Sequence, residues 1–159
     1  MNDATDISTD FDFEIGSWRV KHRRLKQRLS HCDAWEEFGG TAHVRAVLGG
    51  GGNVEDNVLE LPGGPYRAIA LRSFDPASRS WAIWWLSTND PHTLETPVIG
   101  RFENGAGTFY ADDMLAGMPI RVRFLWLRTD TDAPRWEQAM SDDDGVHWET
   151  NWTMDFERA

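Results

Sequence analysis

The sequence predicts an all-β protein of about ten antiparallel strands closed into an up-and-down barrel, entered through a short N-terminal helical turn. Three observations predict it. From residue 17 onward, extended runs alternate with turn signals roughly every 10–15 residues. No segment in that stretch carries the three-and-four apolar spacing of an amphipathic helix. The connections are short enough for neighbouring runs to pair as hairpins, and ten sequential strands leave two bare edges unless the sheet closes on itself.

The elements follow in chain order. Residues 1–10 are polar and acidic and are expected to be disordered. "TDFDFEIGSW" reads as one helical turn, with Thr9 or Asp10 as cap, Phe11, Phe13 and Ile15 as apolar anchors, and Gly16 as the stop. Strands are expected at 17–29, 34–48, 53–61, 65–74, 80–88, 97–103, 107–112, 119–129, 134–141 and 146–157. Between them stand breakers such as "GGGG", "PGGP", "DPAS", "ENGAG", "DDMLAGMP" and "SDDDG". There is no internal repeat, and residues 1–159 read as one domain.

Alternation assigns faces to the strands. His22, Arg24 and Lys26 share the parity of Trp18, and Tyr66, Ala68, Ala70, Arg72 and Phe74 form a second inner row. Trp81, Ile83 and Trp85 continue it; Ile120, Val122, Phe124 and Trp126 follow, then Trp136, Gln138 and Met140. In the last strand Trp148, Thr150, Trp152, Met154 and Phe156 share one face. A bulge near Gly39-Gly40 or in the glycine run would flip the parity beyond it. "WAIWWL" and "RFLWLR" are apolar on both faces, which leaves Trp84, Leu86, Leu125 and Leu127 outside. A patch of that kind is large for a monomer surface, and a homodimer through these four residues is expected to cover it.

Nine tryptophans in 159 residues call for an aromatic core. A net charge of −10 argues against nucleic acid and membrane surfaces as partners. The lone Cys32 forms no internal disulfide. "MNDATDISTDF" lacks the basic and apolar regions of a secretory signal, and no run reaches the length of a membrane helix, so a cytoplasmic location is the default.

"FEIGSW" (Phe13 to Trp18) resembles the G-x-W entry of the calycin barrels, the lipocalin and fatty-acid-binding-protein type. In that pattern Gly16 precedes a Trp that plugs one end of the barrel, and an arginine of the last strand, here Arg158, packs over Trp18. "WEEFGGT", "YRAIALRSFDP", "WAIWW", "FYADD" and "RWEQAMSDDDGVHWETNW" extend the likeness over nearly the whole chain. Together they resemble a bacterial family of unknown function with a calycin-like barrel. The resemblance implies the fold and no particular activity.

Chemical motifs are sparse. "SDDDGVHW" matches the Asp-box hairpin, read here as a turn in which Asp143 bonds turn amides and Trp148 packs below. "LGGGGN" lacks the Lys-Ser/Thr of a phosphate loop. The five histidines show no ligand spacing, so no metal is expected. Glu36-Glu37 and Asp112-Asp113 are neighbours that point to opposite faces of a strand, so neither forms a catalytic dyad. "RVKHRRLKQR" concentrates positive charge in an acidic chain; an inward arginine without a carboxylate partner would mark an anion site.

The function expected is binding of a small amphipathic, anionic molecule in an aromatic-lined barrel cavity, without a cofactor. Its candidate residues are His22, Arg24, Arg72, Trp85, Tyr110, Trp126, Gln138 and Trp152. The anionic head is placed near Arg72 or Arg24 and the apolar tail against the tryptophans, Trp136 included. One alternative is an enzyme of isomerase, decarboxylase or hydratase type on the same barrel, with no catalytic residue assigned beyond an inward His22 or Tyr110 beside Arg72. Others are a haem site of nitrobindin type, against which the outward parity of His147 counts, and a solidly packed interaction protein.

Overall fold

The ten runs become ten strands: β1 (Gly16–Leu25), β2 (Trp35–Val47), β3 (Gly52–Leu61), β4 (Gly64–Asp75), β5 (Ser80–Ser87), β6 (Val98–Glu103), β7 (Ala106–Leu115), β8 (Met118–Leu127), β9 (Arg135–Ser141) and β10 (Glu149–Arg158). The computed structural model describes residues 8–159. Each strand pairs antiparallel with its sequence neighbours, and β1 pairs with β10 to close the barrel. This all-β architecture is consistent with a calycin-like fold. No helix among the described residues is long and apolar enough to cross a membrane.

Ahead of β1, a single 3-10 turn (Asp12–Glu14) plugs one end of the barrel. Neither expected cap works through its side chain: Thr9 offers its carbonyl to the Asp12 amide, and the Asp10 carboxylate accepts from the Trp81 indole at 3.2 Å. Of the segment expected to be disordered, Ser8 to Asp10 therefore belong to the plug, while residues 1–7 lie outside the described residues. Phe11 enters the barrel edge-on between Trp81 and Phe102, with centroids 4.9 and 4.8 Å away. Burying a phenylalanine side chain in this way stabilises by about 1.5–3 kcal/mol.

Gly16 answers a steric demand. Its φ of +125° lies outside ordinary L-residue space, and a Cβ there would stand 2.5 Å from Arg158 Nη1. Gly100 answers another: a Cβ would run into the Thr108 carbonyl of β7, because β6 and β7 approach closely there.

The parity of β4, β5, β8 and β9, and of β1 as far as Arg24, is as the alternation assigns it, and Val20, His22, Ala70, Arg72, Trp81, Ile83, Val122, Trp126, Trp136 and Gln138 are buried; Lys26, expected inward, is exposed beyond the end of β1, and Leu25 is buried instead. The break in parity falls elsewhere than expected. Register is continuous through Gly39-Gly40 and the glycine run, and it shifts instead between Thr150 and Trp152. Asn151 occupies that bulge, fully buried. Trp152, Met154 and Phe156 stay inside, but Trp148 is outside, beneath the Arg123 guanidinium at 4.5 Å. Tyr110 is also outside: Phe109 is the inward member of that pair, and Tyr110 lies beside Trp148.

Trp84 and Leu86 face outward, half-buried, opposite Leu71 and Ile69 of β4. Leu125 and Leu127 also face outward on β8, opposite Glu137 and Arg135 of β9. β6 and β7 lie between β5 and β8, so the four residues form two patches rather than one.

Candidate ligand-binding site

Two polar regions lie inside the barrel, at opposite ends. At the plugged end Arg72 forms an ion pair with Glu55 and donates to Asn53 Oδ1 at 2.9 Å. Its guanidinium lies 4.8 Å from the Phe11 centroid and 5.4 Å from that of Trp126. Arg72 is therefore inward, as alternation requires, but its charge is already neutralised. Beside this cluster sits Glu14, 0% exposed, with neither carboxyl oxygen hydrogen-bonded. Burial, reinforced by the negative charge of Glu55, pushes its pKa well up, against the opposing charges of Arg72 and Arg158. Trp126 packs into the plug against Phe13 and Phe156.

The open half holds a cavity of about 330 Å³, within the range of small-molecule sites. Trp85, Phe124, Trp136 and Trp152 wall it, with Gln138 as the polar group among them. Gln138 is held by its bond to Asn151 Oδ1 at 2.8 Å. Trp152 is held from behind: its indole N–H donates to His22 Nδ1 at 3.1 Å, and His22 stacks on Phe38. Burial and the charge of Arg24 lower the His22 pKa to about 3, so it stands neutral, with its second nitrogen protonated.

Two connections shape the mouth. β5 pairs with β6 over just Trp81 to Ile83, and the long β5–β6 connection fills the gap beyond. It folds back so that the Glu95 amide donates to the Trp85 carbonyl at 3.0 Å, which places Glu95 on the cavity rim. The β1–β2 connection begins four residues earlier than expected, at Lys26, and is tied down by Leu29, whose amide donates to Glu149 at 2.7 Å. That connection brings Arg28 into the cavity wall. Among the described residues Arg28 has no hydrogen bond and no carboxylate within ion-pairing distance. Burial, then the nearby Arg24, lower its pKa; Glu95 and Tyr66 oppose them. Burial raises the pKa of Glu95, countered by Arg28. Asp113 of β7 completes the rim, with one carboxylate oxygen accepting from the Met114 amide at 2.8 Å.

The eight expected residues thus separate. Trp85, Gln138 and Trp152 line the cavity. Arg24 lines the adjoining groove, paired with Glu36 at 2.9 Å and donating to Tyr66 at 3.3 Å. Arg72 and Trp126 border a separate space of about 20 Å³ deeper in the barrel, large enough for about one water. His22 is inward but lies behind Trp152, Tyr110 is on the outer surface, and the hydrogen bonds of Arg72 go to Asn53 and Glu55 rather than to either. His147 is outside as well, with its ring 2.6 Å from Asp143 within the Asp-box turn. Arg28, Glu95 and Asp113 escaped the sequence reading. The first two sit in connections, where alternation carries no information, and Asp113 lies one residue past the expected strand 107–112, in the part of β7 that extends to Leu115.

The chain matches no protein-family model and no curated protein.

Proposed function

We propose that the barrel binds a small amphipathic molecule, its apolar body against Trp85, Phe124, Trp136 and Trp152 and its charged head at the mouth. The observation that carries this reading is the state of the inner arginines. Arg24 and Arg72 are paired with Glu36 and Glu55, so the head-group position expected at either is corrected to Arg28, which is half-buried, lines the cavity and carries no such partner. A planar guanidinium on the rim of an aromatic cavity suits a carboxylate or phosphate on a hydrophobic body.

The test uses 1-anilinonaphthalene-8-sulfonate, an amphipathic anion that fluoresces when it leaves water. Saturable enhancement at one site per chain is expected. Val122→Trp fills the cavity from its β8 wall and should abolish the signal while the barrel's circular dichroism persists. Val122→Ala serves as a second variant that leaves the cavity open and should retain binding. No saturable enhancement, or a signal indifferent to Val122→Trp in the folded protein, would overturn the reading.

A further inference from the structure

We infer that the head group taken by this cavity is a zwitterion: a carboxylate held by Arg28 and an ammonium held by Glu95 and Asp113, as in an α-amino acid with an apolar side chain. The inference rests on the cavity reading above and adds the chemistry of its mouth.

The rim carries charge of both signs from three separate elements. Arg28 comes from the β1–β2 connection, Glu95 from the β5–β6 connection and Asp113 from β7. Arg28 and Glu95 influence each other electrostatically, yet they stand farther apart than an ion pair. Both connections are pinned by hydrogen bonds next to these residues, Glu95 through its own amide and Arg28 through that of Leu29. The backbone at both positions is therefore held at the mouth.

The balance of charge decides the ligand class. A simple carboxylate seated on Arg28 would face two carboxylates across the rim. A simple amine seated between Glu95 and Asp113 would face the guanidinium. A molecule that carries both charged groups on one carbon satisfies all three groups and bridges the gap that Arg28 and Glu95 leave. Its apolar side group then enters the cavity, where a carbonyl or hydroxyl can also meet Gln138.

Four probes with the same phenyl body separate the possibilities: L-phenylalanine, 3-phenylpropanoate, 2-phenylethylammonium and 3-phenylpropan-1-ol. All are transparent where tryptophan is excited selectively, so quenching of Trp85, Trp136 and Trp152 reads their binding at pH 7 and low salt. L-Phenylalanine should bind at least tenfold more tightly than each of the others. Arg28→Gln should weaken L-phenylalanine and 3-phenylpropanoate in parallel, and Glu95→Gln should weaken L-phenylalanine and the amine. Both positions lie in connections outside the core, so the variants should keep the barrel fold, checked by near-ultraviolet circular dichroism. If 3-phenylpropanoate binds as tightly as L-phenylalanine, or the alcohol binds as well as either, the zwitterion inference is overturned and the cavity reading stands. If none of the four binds up to millimolar concentration, the zwitterion inference falls, and the 1-anilinonaphthalene-8-sulfonate titration decides the cavity reading separately.

Discussion

The guanidinium carbon of Arg158 lies 3.8 Å from the centroid of the Trp18 ring, and its two terminal nitrogens donate to the carbonyls of Ile15 and Phe13 at 2.7 and 3.0 Å. One side chain at the end of β10 thus covers the barrel's closing tryptophan and satisfies the exposed carbonyls of the turn before β1. Arg158→Ala should cost about 1–3 kcal/mol, combining a cation–π contact with charge-assisted hydrogen bonds at a solvent-facing edge. Arg158→Lys should recover little of this, because one ammonium cannot stack on the ring and reach both carbonyls. Urea unfolding measures both; equal stability of Arg158→Ala and the parent would refute the assignment.

His22 is held neutral, with its pKa lowered to about 3 from an ordinary 6.5. The unfolded chain takes up this proton first as pH falls. The contribution is therefore complete above about pH 6.5 and is lost progressively as pH drops towards 3. His22→Phe should flatten the acid limb of the stability profile. At pH 7 it should cost about 1–3 kcal/mol, because the Trp152 N–H loses its acceptor. Urea midpoints from pH 4 to 8 provide the check, and an unchanged acid limb would count against a buried neutral His22.

Glu14 acts in the opposite sense. Its raised pKa means that the folded state keeps a proton that the unfolded state has released. Stability should fall as pH rises from the ordinary carboxyl value of 4.5 through the folded one. Glu14→Gln should remove that loss, so its advantage over the parent should grow with pH through this window, on the order of 1 kcal/mol per pH unit. Parallel melting curves of the two proteins across pH 5–8 are the measurement, and a constant difference would argue that Glu14 does not titrate on unfolding.

The outer row formed by Val54, Leu71 and Trp84, with Leu86 and Ile69 beside it, is expected to be covered by a second copy of the chain. The β5 patch is the proposed seam. Leu125 and Leu127 belong to the separate β8 patch and contribute less. Light scattering at micromolar concentration should give twice the monomer mass, falling to the monomer for Trp84→Ser with the fold retained. A monomeric mass for the parent protein would remove the dimer.

The strand content, the hairpin order and the inward rows were legible because a period of two and a short turn are properties of local sequence. "RWEQAM" alternates, so Trp136 and Gln138 face inward whatever they pack against; the same holds for Tyr66 through Phe74 and for Trp81 through Trp85. Two errors of face stand out, Tyr110, where Phe109 is the inward residue, and "HWETNW". The alternation of "HWETNW" continues unbroken in sequence through the bulge at Asn151, where the β9–β10 register shifts between Thr150 and Trp152.

What the sequence by itself determined is which residues are available to the interior: Trp81, Trp85, Trp126, Trp136, Trp152, Gln138, Arg24 and Arg72 follow from alternation, and closure follows from ten sequential strands with no other way to cover two edges. What only the tertiary structure decided is which of the inner charges remain open to a ligand. Glu36 and Glu55 reach Arg24 and Arg72 from the partner strands of the β1–β2 and β3–β4 hairpins, and that pairing depends on the hairpin register, which alternation by itself does not give. Arg28 and Glu95 meet the cavity for the same reason. They lie in connections without a period, and it is the closed sheet that brings the two connections over one mouth.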